Sequence, residues 1–299
     1  MRSSDLREIA ERYVPGSGAL AIQRLESGLV NDSYRVARGD RLYSLRVSTP
    51  YAAELGIDRE WECRVLGRAE AAGLAPRVEC CEPRQGILVA RWVAGGTWTP
   101  AQVGHSDNIE CIAQLARRIH ALPVPQGARM MNPAAWIAHY RDALVRHDPR
   151  ADRRPIRAGL PGRPQSAADA RLGALALLPP AAPVLCHSDL HPQNVVFGAH
   201  GPVLLDWEYA HVSDPLWDLA GWSCNNDLCA DTRRLLLAGY LGRQPSPEDS
   251  ARLEQLVWLY DYVCLLWCEV YAKLRPDVPG DAISARAQLL AQRLDANPR

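Results

Sequence analysis

His187-Ser188-Asp189-Leu190-His191-Pro192-Gln193-Asn194, followed by Leu204-Leu205-Asp206-Trp207-Glu208, carries three oxygen-bearing side chains on two neighbouring turns. Asp189 and Asn194 lie five positions apart in a loop entered from a short strand. Asp206 closes the apolar strand Val203 to Leu205, which follows a turn at His200-Gly201. Phosphoryl transfer needs an acceptor for a hydroxyl proton and hard oxygen ligands for Mg2+. Asp189 suits the first task, and Asn194 with Asp206 suits the second. Mg2+ is small and keeps several waters, so two protein ligands plus phosphate oxygens suffice.

An H-x-D triplet alone occurs in many polar turns that only cap the backbone. The full set is more specific. H-x-D-x-x-x-x-N followed by a strand ending in Asp has the spacing of a kinase catalytic loop and its metal-binding aspartate. HSDLHPQNVVF followed by LLDWEYAHVSDPLWDLA resembles the aminoglycoside phosphotransferase and choline kinase superfamily. The D-W-E-Y form and the D-P-x-x-D-L-A tail are most similar to bacterial choline/ethanolamine kinases and thiamine kinases. The resemblance covers most of the chain, leaving Asp148 to Pro183 and the last twenty residues unmatched. It implies a bilobal α+β fold like that of protein kinases, with an antiparallel-sheet N-terminal lobe carrying one helix and a mainly helical C-terminal lobe. ATP and Mg2+ are the cofactors it implies, and a small-molecule alcohol is the acceptor. Asp189 then matches the catalytic base, and Asn194 and Asp206 match the metal ligands. His187 matches the histidine that organises the loop, and Asp218 the buried aspartate that braces it. A plain helix-start carboxylate at 218 would look the same in sequence.

The first hundred residues test this reading. Ala19 to Leu25, Ser33 to Ala37 and Arg41 to Ser48 alternate as strands, with Gly39-Asp40 as a hairpin signal. Arg59 to Ala72 has helical spacing, and Pro76 to Cys81 with Gly86 to Val93 complete a strand pair. The expected division is 1–94 as a nucleotide-binding lobe and 95–299 as a catalytic and substrate lobe. Ser27 to Ser33 is the turn over the phosphates. It has a single glycine, Gly28, so it is not the G-x-G-x-x-G loop of protein kinases. It resembles the short loop of choline kinases, where Asn31 and Ser33 accompany the phosphates. Arg46 is the third-strand cation, with Arg35 and Arg41 as competitors; Lys stands there in protein kinases, while Arg resembles the choline and thiamine kinase branch. An arginine fork also grips phosphate oxygens. Its carboxylate partner is Glu62 or Glu60, whose Cα directions differ by about 200° on a helix. Glu62 is favoured because it stands four residues before Leu66 on the core-facing stripe. Leu88 to Val93 reads as the hinge strand, with the backbone around Ala90 to Trp92 bonding adenine and Arg91 facing solvent.

From Asn108 the pattern is helical: Ile109 to Leu122, Asn132 to His147 and Ala251 to Leu274. Asp148 to Pro183, rich in Arg, Ala and Pro, reads as a poorly packed connection or mobile flap with a helix near Ser166 to Leu178. The acceptor site is expected from Trp258, Tyr262 and Trp267 on the last of these helices, with a carboxylate such as Glu208 or Glu269. Nine tryptophans stand against one phenylalanine, and electron-rich rings attract quaternary ammonium or thiazolium cations. The same stripe also serves as plain core. Choline is placed ahead of thiamine, with an amino sugar or ethanolamine as further alternatives. An aminoglycoside is disfavoured, because no acidic cluster follows the D-W-E-Y segment and Asp227 and Asp231 are the nearest pair. Two other classes compete. A binding pseudokinase would have lost one of Asp189, Asn194 or Asp206, and a metal hydrolase built on His187, Asp189 and His191 has no clear fourth ligand.

Composition narrows the partners. Lys plus Arg equals Asp plus Glu at 34 each, so no broad field favours nucleic acid or an anionic membrane. No apolar run reaches the ~18 residues of a membrane span. The nine cysteines are scattered without a CxxC pair, which reads as reduced thiols in a cytoplasmic protein, monomer or homodimer.

Overall fold

Alternating apolar residues in the first hundred positions close one side of a single antiparallel sheet. The computed structural model describes residues 3–25, 28–147, 163–198, 201–276 and 281–296. Strands β1 (Leu20–Arg24), β2 (Asp32–Arg38), β3 (Arg41–Val47), β4 (Val78–Glu82) and β5 (Ile87–Arg91) lie in the order β1-β2-β3-β5-β4. The β2–β3 turn is Gly39-Asp40, and Gly39 takes the positive φ of 58° that such tight hairpins require. Tyr34, Val36, Tyr43, Leu45, Ile87 and Val89 form one apolar layer with Ala10 and Val14 of α1 (Ser3–Tyr13). Helix α1 is thus a second helix in the lobe for which the sequence implied one.

Helix α2 (Arg59–Ala71) starts at Asp58, whose carboxylate accepts the Trp61 N–H at 3.0 Å. Its Trp61, Val65, Leu66 and Ala69 do not join that layer. They belong to a larger core shared with the C-terminal helices. The Trp61 indole donates to the Ala210 carbonyl at 2.7 Å, and Leu204 N–H to the Leu74 carbonyl at 2.7 Å. The helix that carries Glu62 is therefore anchored to the second lobe as firmly as to the first.

That second lobe comprises α3 (Ser106–His120), α4 (Pro133–His147), α5 (Arg163–Ala176), α6 (Leu216–Asn225), α7 (Ala230–Leu241), α8 (Pro247–Leu274) and α9 (Asp281–Ala296). Two small ribbons cross it, β6 (Val184–Cys186) with β9 (His211–Ser213) and β7 (Val195–Gly198) with β8 (Gly201–Leu204). Helix α8 opens with a reciprocal Ser246–Asp249 capping box and packs against α4, α5, α6 and α9. Trp61, Trp207, Trp217 and Trp222 are among the fully buried side chains, so much of the tryptophan excess is core.

Two expectations change. Of the segment read as a poorly packed connection, residues 148–162 lie outside the described residues, whereas α5 is docked on α8. Ala168 is buried, Arg171 donates to Gln255 at 3.1 Å, and its guanidinium lies 5.4 Å from the Trp258 ring centre. A helix held by small residues and one arginine carries little apolar periodicity to read. Cys63 and Cys81 form a disulfide across α2 and β4, with Cα atoms 6.1 Å apart, where nine reduced thiols were expected. A residue separation of 18 hides that neighbourhood. The other seven cysteines are free. Among the described residues, no helix is long and apolar enough to cross a membrane.

Candidate active site

Strand β6 delivers the loop from His187 to Asn194, and a buried carboxylate holds its start. Asp218, in the first turn of α6, accepts the backbone N–H of His187 at 2.9 Å and of Ser188 at 2.7 Å. His120 Nε2 lies 3.1 Å from the same carboxylate. Burial alone would raise the Asp218 carboxyl, but His120, His187 and the Ser188 N–H hold it below its ordinary value. These bonds secure Ser188 at φ 68°, a left-handed conformation that side chains with a β-carbon avoid. The turn aims Asp189 into the cleft. Burial keeps His187 neutral, so the Nε2 that meets the Leu205 carbonyl at 2.9 Å carries the proton. The ring therefore ties the loop to the residue just before Asp206.

Asn194 completes the loop. Its Nδ2 donates to the Asp189 carbonyl at 3.0 Å and to Asp189 Oδ2 at 3.1 Å. Its Oδ1 receives no hydrogen bond from the described residues. His191 Nε2 sits 3.5 Å from Asp189 Oδ2. Burial would push the Asp189 carboxyl up; His191, His187 and Arg286 outweigh it and bring the pKa to about 2. Asp189 is ionised at neutral pH, and hydrogen bonds fix its position.

Asp206 has the opposite electrostatics. It takes φ 59° at the end of β8, and Arg46 Nη1 reaches its Oδ1 at 3.3 Å. Carboxylate oxygens of Glu62, Asp206 and Glu208 all lie within 4.8 Å of one another. Desolvation in the cleft, then Glu208, Asp189 and Glu62, raise the Asp206 carboxyl above its ordinary value against the pull of Arg46, a rise moderated by the 39% exposure of its side chain. A divalent cation at such a carboxylate would restore its ionised form. The donors fit Mg2+: Asn194 Oδ1 and Asp206 are hard oxygens, and the Leu205 N–H to Asn194 carbonyl bond, 2.8 Å, keeps their turns side by side.

Above this floor lies a charge network. Arg46 on β3 pairs through Nη2 with Glu62 Oε2 at 2.6 Å, while Glu60 is exposed on another side of α2. Burial alone would raise the Glu62 carboxyl, but Arg46 and Arg59 hold it below its ordinary value. Arg59 was not singled out from the sequence. Its Nη1 lies 2.8 Å from Glu62 Oε2 and 2.7 Å from Glu208 Oε2, and its Nη2 donates to Asn31 Oδ1 at 2.7 Å. Asn31 in turn donates to Glu208 Oε2 at 2.7 Å. The available signal was its i,i+3 spacing to Glu62 on one helix. Glu208, expected beside the acceptor, is instead buried among Arg46, Arg59 and Asn31. The left-handed Asp206 feeds a single 3-10 turn, Trp207–Tyr209, which buries Trp207 and turns Glu208 into this network.

Gly28, Asn31 and Ser33 line the same cleft, and the Leu25 N–H to Ser33 carbonyl bond, 2.8 Å, closes their loop. Ser27 lies outside the described residues. The Tyr271 hydroxyl of α8 donates to the Leu29 carbonyl at 2.6 Å, so the second lobe holds the loop tip. At the far end, Ala90, Trp92 and Val93 line the cleft. The N–H groups of Arg91 and Trp92 are already bonded to the carbonyls of Arg77 and Leu42, at 2.8 and 3.0 Å. Those two amides are committed to the sheet rather than turned to a base. Arg91 was expected to face solvent; it pairs with Glu79 over the Tyr43 ring.

On the other side of Asp189, Tyr260, Val263, Cys264 and Trp267 present one face of α8 to the cleft. Trp136 and Tyr140 of α4, Tyr209, and Arg286 of α9 complete that wall. Trp267 Nε1 donates to the Tyr209 hydroxyl at 2.8 Å. Trp258 and Tyr262 do not line it. Each is about 200° from Tyr260 around the helix; they stack on each other at 5.6 Å, and Tyr262 donates to Gln165 at 3.0 Å on α5. Of the three aromatic residues expected on α8, Trp267 alone faces the cleft, whose volume is 670 Å³.

Residues 21–256 match the family model described as the phosphotransferase enzyme family. The fold is similar to that of a choline/ethanolamine kinase family protein from Mesorhizobium loti, 23% identical, with a TM-score of 0.74 over 97% of this chain and 94% of that one. It is also similar to the choline kinase of Streptococcus pneumoniae, 21% identical, with a TM-score of 0.78 over 98% of each chain. That enzyme is known in complex with AMP as well. A macrolide 2'-phosphotransferase from Brachybacterium faecium is 18% identical, with a TM-score of 0.61 over 99% of this chain and 98% of that one. At these identities the likeness concerns the fold. No curated protein matches the sequence.

Proposed function

The chain belongs to the phosphotransferase enzyme family, and from that premise we propose that it transfers the γ-phosphate of ATP to the hydroxyl of a small, choline-like alcohol. One observation carries the proposal: an ionised Asp189 is held by Asn194 in a loop whose backbone is hydrogen-bonded to the residue preceding Asp206. The Asp189 carboxylate takes the acceptor's proton as its oxygen attacks the γ-phosphorus. A base of low pKa works here by positioning and by receiving the proton late, since most of the barrier in phosphoryl transfer is charge and geometry. Asn194 and Asp206 would hold Mg2+, which would supply positive charge to the phosphate oxygens. Arg46, oriented by Glu62, offers donors to the same phosphates, and the loop from Gly28 to Ser33 covers them. Ala90 to Val93 form the edge against which the adenine lies. His187 and Asp218 act by holding Asp189 in place.

The acceptor reading is supported by the fold shared with choline and ethanolamine kinases and by the wall of Trp136, Tyr140, Tyr209, Tyr260 and Trp267. With Glu208 committed to Arg59, a cationic head would be recognised by ring faces rather than by that carboxylate. Thiamine offers the same pairing of cation and primary hydroxyl and is the second candidate. Coupled detection of ADP with choline, ethanolamine, thiamine and amino sugars is the direct test. Acceptor-dependent ADP release is expected, and its absence with every alcohol tried would overturn the kinase reading. Asp189→Ala should retain ATP binding and lose about a thousandfold in turnover. Near-normal turnover would remove Asp189 from the mechanism.

A further inference from the structure

Nearly every charge that lines the cleft has a partner. Arg46 is paired with Glu62 and Asp206, Glu208 with Arg59, Arg91 with Glu79, and His191 sits against Asp189. Arg286 is the exception. It reaches the acceptor wall from α9, three helices beyond the motifs that carry the chemistry, and is bound by no hydrogen bond or salt bridge among the described residues. It lines the cleft together with Tyr260, Cys264 and Asp189, and its charge acts on all three. It is exposed while lining the cleft, so it is a charge that a ligand can reach.

The rest of the wall is mostly aromatic: Trp136, Tyr140, Tyr209, Tyr260 and Trp267 line it beside Val263 and Cys264, while Asp189 and Asp206 are engaged by the reacting hydroxyl and the metal under the function proposed above. A choline-like acceptor would therefore bring a positive head into a compartment whose remaining unpaired charge is also positive. The arrangement balances if the acceptor carries an anionic group as well. A guanidinium binds a carboxylate with two parallel hydrogen bonds, which fixes orientation along with charge.

Resting on that kinase reading, we propose that Arg286 is a specificity-determining residue which selects acceptors that combine a hydroxyl with a carboxylate, of the β-hydroxy amino acid or betaine type. The ring wall receives the ammonium, Arg286 the carboxylate, and Asp189 the hydroxyl. The group-transfer step is unchanged: the O–Pγ bond to ADP breaks, the bond to the acceptor oxygen forms, and the hydroxyl proton passes to Asp189.

Matched pairs test the proposal, because serine differs from ethanolamine, and N,N,N-trimethylserine from choline, only by a carboxylate. Two readouts are taken on the full chain: ADP release, and tryptophan fluorescence on binding without turnover, for which Trp136 and Trp267 are the reporters. The carboxylated member of each pair should bind about tenfold tighter or better. Arg286→Gln should erase that ratio while leaving ethanolamine and choline binding unchanged or improved, and Arg286→Lys should restore part of it. Equal binding within each pair, or a ratio that survives Arg286→Gln, would overturn the assignment. An equal fall in turnover on all acceptors, with binding unchanged, would make Arg286 a phosphate contact and overturn it too. Loss of turnover on every acceptor with the binding ratio intact would sink the kinase reading while leaving the carboxylate site standing.

Discussion

The two ends of the cleft are built from different materials. The Arg46 end is a buried lattice of charges, Arg46, Arg59, Glu62 and Glu208 with Asn31 between them, at distances of 2.6–2.8 Å for its five tightest contacts, the closest being Arg46–Glu62. The α8 end is a wall of rings from α4, α8 and the 207–209 turn, with neutral hydrogen bonds such as Trp267 to Tyr209. Buried charges are costly to leave unpaired, so each member of the lattice constrains the others. Ring faces exchange size and shape at smaller cost. Under the proposed function, a fold built this way keeps one phosphate donor fixed while its acceptor compartment changes.

The largest expected effect comes from breaking the lattice. Arg59→Met leaves Glu62 and Glu208 with Arg46 as their remaining cation. Removing one partner from a buried set costs about 3–5 kcal/mol. Urea unfolding should show that loss together with weaker ATP binding. A loss below about 1 kcal/mol would put the lattice on a par with a surface ion pair.

A second test concerns the acceptor wall's polar support. His211 Nε2 accepts the Trp136 indole N–H at 3.2 Å, and its Nδ1 lies 2.8 Å from the Tyr209 carbonyl, so the folded state holds the ring neutral. Burial is the main reason its pKa falls to about 4. A histidine with a depressed folded pKa stabilises fully above the ordinary value near 6.5. That contribution is lost as pH falls from there through 4. The loss is about 3 kcal/mol when complete. Denaturation midpoints measured from pH 7 to pH 4 should decline more steeply in the wild type than in His211→Gln, and parallel curves would remove His211 as the cause.

The smallest effects separate the two sides of α8. Trp267→Leu should raise the acceptor KM about tenfold with little change in the KM for ATP. Tyr262→Phe, on the α5 side, should change neither. Matching kinetic defects in the two variants would mean that the wall has been assigned to the wrong face of the helix.

That Asp189, Asn194 and Asp206 share one cleft and that Glu62 pairs with Arg46 was legible in the sequence because the information is local: a spacing of five in one loop, a strand end, and a carboxylate four before a leucine. The five-stranded order of helix and strands was legible for a similar reason, since alternation and turn residues act over a few positions. Glu208, Trp258 and Tyr262 were expected at the acceptor site, but Glu208 is buried in the charge network and the other two face α5 rather than the cleft. A helix that is apolar around most of its circumference, as α8 is, gives no preferred face until its neighbours are known. The adenine edge was similarly hidden, because the Leu42 carbonyl that takes the Trp92 amide lies fifty residues upstream.

By itself, then, the sequence determined the loop from His187 to Asn194, the strand end at Asp206 and a sheet-bearing lobe with an arginine–glutamate pair. Only the tertiary structure decided that α2 is fastened to the second lobe, that Arg59 and Glu208 close the charge lattice, and that Arg286 stands unpaired at the acceptor wall. The physical reason is range: turns, caps and periodicity are settled between residues a few positions apart, whereas burial and charge pairing are settled by whichever distant segments the packed core brings together.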